Sequence, residues 1–194
     1  MTNSKYTKEL AIKLYDLEDW SVTIQYPSLP KVINSYAPIK NPDTYFIFIW
    51  RLVTFVRELD RIIDLANELK FTLLIMWDGP DRTTLQDRAW STITFLGNRI
   101  GHEKYELLRH AKWLINLTKE SCGIVTMEAL ALWIPVFGYN AWGTAELVEH
   151  WKTGRLVNSK DHQTLLEEFE KFQQIDFERK AIIIQSLEQS CTQE

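Results

Sequence analysis

WLINLTKESCGIVTMEALALWIPVFGYNAWGTAELVEHWKTG, residues 113–154, carries the reading of the fold. The run WLINL (113–117) is a short apolar segment of the buried-strand type. A loop holding Glu120 follows, then a helical stretch at about 124–132, then a second buried run at 135–139 opened by Pro135 and Val136. A small-residue turn (Ala141 to Thr144), an acidic Glu-Leu-Val and a Thr-Gly turn (Thr153, Gly154) complete the segment. Strand, loop, helix and strand in that order form the repeating unit of a parallel sheet. Glu120 and Glu128 stand eight apart across the strand–loop–helix junction. Open α/β sheets bind ligands outside the carboxyl ends of their strands, where that junction falls.

Working outward, the same alternation continues. Residues 44–50 (TYFIFIW), 71–77 (FTLLIMW) and 92–96 (TITFL) are further buried-strand runs, with helical stretches at about 57–69, 82–89, 101–112 and 144–150. In the first of these, Leu59, Ile62, Ile63, Ala66 and Leu69 recur at helical spacing, while Glu58, Asp60, Arg61 and Asp64 occupy the other faces. The pattern predicts an α/β, Rossmann-like, doubly wound parallel sheet. The first 43 residues break the alternation: one amphipathic helix at 4–17, a strand SVTIQYP, and a link punctuated by Pro27, Pro30, Pro38 and Pro42. No internal repeat or low-complexity segment is present.

The bulk properties exclude several classes. A net charge of −4 leaves no electrostatic footprint for nucleic acid. Cys122 and Cys191 form no spaced pair, and His102, His110, His150 and His162 lack ligand spacing, so neither a disulfide framework nor a metal site is implied. The longest apolar runs are interrupted by Arg51, Glu128 and Pro135, short of the roughly eighteen residues a membrane span needs. The N-terminus, MTNSKYTKEL, has no apolar signal-peptide core, and the location read from this is cytoplasmic.

The succession in 120–154 resembles the C-terminal, donor-binding domain of retaining GT-B glycosyltransferases of group 1 (family 4-like, bacterial). Their pattern is Glu-x7-Glu, then Gly-x-Pro-Val, Gly-Gly, Pro-Glu and Gly-x-x-Gly. Residues 3–6 and 24–27 resemble the end of that family's N-terminal domain and its crossover. The resemblance covers about residues 1–175 and is strongest at 50–57 and 117–154. It implies a remnant of the N-terminal domain and linker at 1–43, a nucleotide-sugar-binding Rossmann-like domain at 44–175, and a C-terminal helix at 176–194. A GT-B enzyme needs two domains around its cleft, so the chain is expected to be a fragment, inactive by itself.

The resemblance also assigns roles. Glu128 accepts hydrogen bonds from the nucleotide ribose, for which an ionised carboxylate is a strong partner. Glu120, the catalytic candidate, faces the donor sugar and supports the developing oxocarbenium-like centre. Ser121, Cys122, Gly123, Ile124 and Val125 offer backbone N–H groups at a helix start to the phosphates. The family generally has an aromatic residue where Cys122 stands. Arg51 and Arg57 match Arg-x5-Lys and neutralise the diphosphate, with arginine replacing lysine at 57. Gly79 and Ile100 border the nucleotide. Read without the resemblance, Glu128 is a solvent-facing helix glutamate, Glu120 is stabilised by a helix dipole, and Arg57 is a surface arginine. The implied partners are a nucleotide-diphospho-sugar donor as substrate, no further cofactor, and an acceptor that is a glycan, a lipid or a small molecule. Peripheral membrane contact is implied only through the missing N-terminal domain. The rival reading is a non-catalytic nucleotide-sugar-binding or scaffold module paired with a separate chain. A non-hydrolysing sugar-nucleotide epimerase shares the fold but not this motif order.

The tryptophans form a second pattern. The chain has eight Trp and seven Gly, and counting the two together restores an ordinary glycine usage of about 7%. Trp50, Trp77, Trp133, Trp142 and Trp151 stand where the family has Gly. Trp20 and Trp90 stand where a left-handed residue after a helix is expected. Only Trp113, entering a strand, lacks a physical argument for Gly. The expectation is that UGA codons meaning glycine in the source organism are translated here as tryptophan. The alternative is that the indoles are core anchors or sugar-stacking platforms.

Overall fold

The computed structural model describes residues 1–40, 42–53, 58–175 and 177. Six strands, β1 (Phe46–Ile49), β2 (Leu73–Met76), β3 (Ile93–Gly97), β4 (Trp113–Asn116), β5 (Val136–Tyr139) and β6 (Gly154–Val157), form one sheet in the order β3-β2-β1-β4-β5-β6. Every neighbouring pair is parallel. All four side chains of β1 and of β4 are buried, which is why these strands read as continuous apolar runs and not as alternating ones. From β1 the chain winds outward through β2 to β3, and from β4 it winds the opposite way to β6. The winding reverses between β1 and β4, so the loops leaving their carboxyl ends part and open a crevice.

The helices are α1 (Lys5–Tyr15), α2 (Leu59–Leu69), α3 (Arg82–Arg88), α4 (Gly101–His110), α5 (Ile124–Ala131), α6 (Trp142–Leu147) and α7 (His162–Gln173). In α2 the buried face is Leu59, Ile62, Ile63, Leu65 and Ala66, joined by Asn67, and the helix stops at Lys70 in the left-handed conformation. Strand β6 and helix α7 go beyond the sequence reading. Asp161 caps α7 by accepting from the Thr164 N–H. Leu165, Phe169 and Phe172 then line one face at helical spacing. Phe169 and Phe172 pack with Phe46, Phe71, Trp113 and Phe137 at ring separations of 4.5–5.4 Å. Trp113 is thus a core residue.

The N-terminal segment follows the expectation in part. The helix runs from 5 to 15, but SVTIQYP forms no strand: Ile24 makes one bridge, to Thr2, before Pro27 and Pro30 remove the donors a ladder needs. Of the stretch 176–194, only residue 177 is described, so the expected C-terminal helix lies outside the described residues. Among the described residues, no helix is long and apolar enough to cross a membrane.

Backbone geometry sorts the tryptophans. Trp77, Trp133, Trp142 and Trp151 have φ of 93, 60, 56 and 69°, in the left-handed region where a β-carbon is strained. Trp50, Trp20 and Trp90 do not, which corrects the left-handed backbone expected at Trp20 and Trp90. Helix α1 ends on a left-handed Asp16 (φ 52°) ahead of Trp20, which lies in a 3₁₀ turn. Helix α3 ends on an extended Ala89, so Trp90 needs no reversal. Trp50 directly follows β1 in a half-buried position.

Relief of left-handed strain is worth about 1–2 kcal/mol per residue, less what the indole contributes by packing. Trp133→Gly and Trp77→Gly are therefore each expected to raise the unfolding free energy by about 1 kcal/mol. Trp142 and Trp151 should gain less, because the first stacks on Tyr6 and the second carries Arg155 at 3.9 Å. Trp113→Gly should lose about 3–5 kcal/mol, as for other large-to-small changes in a core. Urea denaturation of the single variants checks the ranking.

Candidate functional site

The residues singled out in the sequence are spread over the loops that leave β1, β2, β3 and β4 and over α5. Arg51 follows β1 and is exposed at the crevice. Beside it, the Leu52 N–H donates to the Asp78 carbonyl at 3.0 Å, and a β-carbon on Gly79 would lie 2.3 Å from the Leu52 carbonyl oxygen. Gly79 therefore fixes the approach of the loops after β1 and β2, whatever else it does. Arg57 lies outside the described residues. Ile100 immediately precedes α4 and is exposed, with an extended backbone.

Glu120 lies in the loop after β4 and is buried. Its Oε1 is 2.5 Å from Asn116 Nδ2, 3.2 Å from Thr144 Oγ1 and 3.5 Å from Thr126 Oγ1. Asn116 is oriented in turn by Thr118, whose hydroxyl and N–H both donate to its Oδ1. Three elements, β4, α5 and α6, thus converge on one carboxylate. The carboxylate is not a helix cap: the residue before α5 is Gly123, at φ 83°. Asn116, Thr126 and Thr144 escaped the sequence reading because each looks like an ordinary buried strand or helix residue. The signal for them was their spacing from Glu120, at −4 and +6, with Thr144 in the small-residue turn.

Helix α5 starts at Ile124 with no side-chain cap, because its preceding residue is glycine. The first N–H groups of such a helix point out of its end, and with the helix dipole they favour an anion. Ser121 and Ile124 are exposed at this end, whereas Cys122, Gly123 and Val125 are buried. The Cys122 thiol donates to the Asn3 carbonyl at 3.2 Å, and burial, then the charges of Glu120 and Glu146, push it up to about 11. It is a structural thiol that faces the N-terminal segment.

Glu128, one turn further along α5, is buried, which removes the solvent-facing alternative. Lys104 Nζ lies 2.5 Å from its Oε2 and the Tyr105 hydroxyl donates to its Oε1 at 3.1 Å. Burial, then the charge of Glu128, raise Tyr105 to about 12, so its hydroxyl stays a donor. Lys104 and Tyr105 were not anticipated, since 101–112 was read only as a helical stretch. Among the described residues, no group of three His, Cys, Asp or Glu side chains is placed to hold a metal ion.

Residues 34–188 match the family model of the glycosyl transferases group 1. The chain belongs to that family. Among similar group 1 proteins, N-acetyl-alpha-D-glucosaminyl L-malate synthase of Bacillus anthracis is 31% identical over 107 residues, half of this chain and 26% of that protein. GDP-mannose-dependent alpha-mannosyltransferase of Mycobacterium tuberculosis is 33% identical over 102 residues, 52% of this chain and 27% of that protein. The match thus spans about a quarter of each relative. Among solved structures, Anabaena HepE in complex with UDP and glucose superposes with a TM-score of 0.77 at 19% identity, over 98% of this chain and 57% of that one. The C-terminal domain of a group 1 protein, LpcC of Francisella tularensis, gives 0.65 at 18% identity, over 83% of this chain and 96% of that one. At these identities the superpositions bear on the fold alone, and they agree with the GT-B glycosyltransferase architecture.

The Lys104–Glu128 pair yields a stability prediction for this group 1 domain. Removing one partner strands a buried charge, so Lys104→Met and Glu128→Met are each expected to cost about 3 kcal/mol. The double variant should recover most of that loss. A double-mutant cycle by urea denaturation measures it; additive losses would contradict the buried pairing.

Proposed function

We propose that residues 44–175 are the donor-binding wall of a retaining glycosyltransferase that transfers a sugar from a nucleotide-diphospho-sugar. The observation that carries this reading is the uncapped start of α5, flanked by two buried carboxylates at the reversal point of the sheet. In this reading the α5 N–H groups and Arg51 hold the diphosphate, with Arg57 as a further cation by resemblance. Glu128 accepts from the ribose hydroxyls; a carboxylate offers about four lone-pair sites, so Lys104 and Tyr105 leave it capacity. Glu120, fixed by Asn116, Thr126 and Thr144, supports positive charge developing on the donor sugar. Departure is on the same face as attack, the leaving phosphate taking the acceptor proton, as the resemblance implies. The relatives' names support the donor class: one is a GDP-mannose-dependent enzyme, and HepE was crystallised with UDP and glucose.

One wall of a cleft neither positions an acceptor nor excludes water, so these 194 residues by themselves are expected not to transfer sugar. The rival reading is a non-catalytic module acting with a separate chain. The four left-handed indoles likewise support glycine as the intended residue at 77, 133, 142 and 151, and UGG codons in the gene at these positions would refute the recoding.

Ligand profiles test the assignments. Titrations would use UDP and uridine, then GDP and guanosine. Arg51→Ala should weaken the diphosphate far more than the nucleoside. Glu128→Ala, made with Lys104→Met so that no ammonium is stranded, should cost about 1.5–3 kcal/mol for both, the scale of a hydrogen bond to a charged group. Glu120→Ala should spare the nucleotides and weaken UDP-sugars or GDP-sugars alone. Identical profiles for the two glutamate variants would refute the division of roles.

A further inference from the structure

The start of α1 is satisfied in an unusual way. A helix leaves its first N–H groups without internal partners. Here the Thr7 N–H goes to the Ser4 hydroxyl at 3.1 Å, the local cap written in the sequence. The Lys5 and Tyr6 N–H groups go instead to Glu146, 140 residues away, at 2.9 and 2.6 Å, one to each carboxylate oxygen. The Tyr26 hydroxyl adds a third bond to that carboxylate at 2.9 Å, and burial, then Glu146, raise it to about 12. An anion at a helix start is also favoured by the dipole.

Glu146 belongs to α6, and α6 is wedged against the Glu120 loop. The Gly143 N–H donates to the Glu120 carbonyl at 3.0 Å, and a β-carbon on Gly143 would lie 2.5 Å from the backbone of Cys122. Thr144 holds the Glu120 carboxylate, and Leu147 lies against Gly123 closely enough that a β-carbon there would meet it at 2.8 Å. The N-terminal segment closes the arrangement from its own side: Tyr6 stacks on Trp142 at 4.5 Å, and the Asn3 carbonyl accepts from Cys122.

We propose that Glu146 is a positioning residue for the Glu120–Gly123 loop. It clasps the start of α1 and carries that attachment, through Gly143 and Thr144, to the carboxylate of Glu120. Because α1 buries none of its own residues, the clasp and the contacts beside it are what hold the helix in place. What this means for sugar transfer rests on the reading that Glu120 faces the donor sugar. The coupling itself is measurable without any ligand, so the two can fail separately.

Amide hydrogen exchange and side-chain amide resonances of the 194-residue chain provide the test. In Glu146→Ala, exchange at Gly143 should accelerate about tenfold or more, the scale of losing a charge-assisted hydrogen bond. The Asn116 side-chain amide resonances should move, because Nδ2 reports the position of the Glu120 carboxylate. Amides of β2 should be unchanged, which excludes global loosening. Glu146→Gln, which keeps one acceptor oxygen, should fall between wild type and alanine. Faster exchange at Lys5 and Tyr6 with Gly143 and Asn116 unaltered would overturn the proposal. If the alanine variant does not fold, Tyr26→Phe removes one of the three bonds and should move the same two reporters in the same direction. No movement of either would equally overturn it.

Discussion

The pairing of β1 with β4 is the join on which the rest of the molecule depends. It is short, two residues in register (Phe46 with Trp113, Ile47 with Leu114), whereas β1 pairs with β2 over four. Everything N-terminal to it winds one way and everything C-terminal winds the other. A short parallel join lets the following loops separate, and the space they leave is where Arg51 and Glu120 are both delivered. The chemistry of the crevice follows from a topological fact about the sheet before it follows from any one side chain.

The two glutamates are made tolerable in different ways. Glu128 is bonded by an ammonium and a phenol, which offset the cost of burying a carboxylate. Glu120 accepts from amide and hydroxyl donors on three elements, which fix its direction. The environments therefore separate two residues of one type on one loop and helix.

The sheet was legible because buried strands leave continuous apolar runs and α2 leaves a clean 3.6-residue stripe. Strands β1 to β5 fall within two residues of their sequence-based limits. Strand β6 was not, since Gly-Arg-Leu-Val is short and mixed, and SVTIQYP misled because β-propensity says nothing about whether a neighbour is available to pair with. Glu120, Glu128 and the helix start were singled out through the resemblance of their motif to the group 1 family. Asn116, Thr126, Thr144, Lys104 and Tyr105 were not, because they act across elements that only folding brings together. Positive φ is found at Trp77, Trp133, Trp142 and Trp151. The left-handed backbone expected at Trp20 and Trp90 is absent, because Asp16 and an extended Ala89 already end the helices.

The aromatic cluster under α7 has a consequence for how the chain is made. Phe46 and Phe71 rest against Phe169, so strands synthesised early are covered by a helix synthesised late. At about 5–20 residues per second, the ribosome leaves the Phe46 face without that cover for roughly 6–25 s. During that interval a sheet of parallel strands, slow to assemble because its contacts are distant in sequence, presents apolar surface to the cell. A ribosome stalled anywhere between β6 and Phe172 would release a sheet lacking its aromatic lid, a form prone to capture by chaperones and to aggregation.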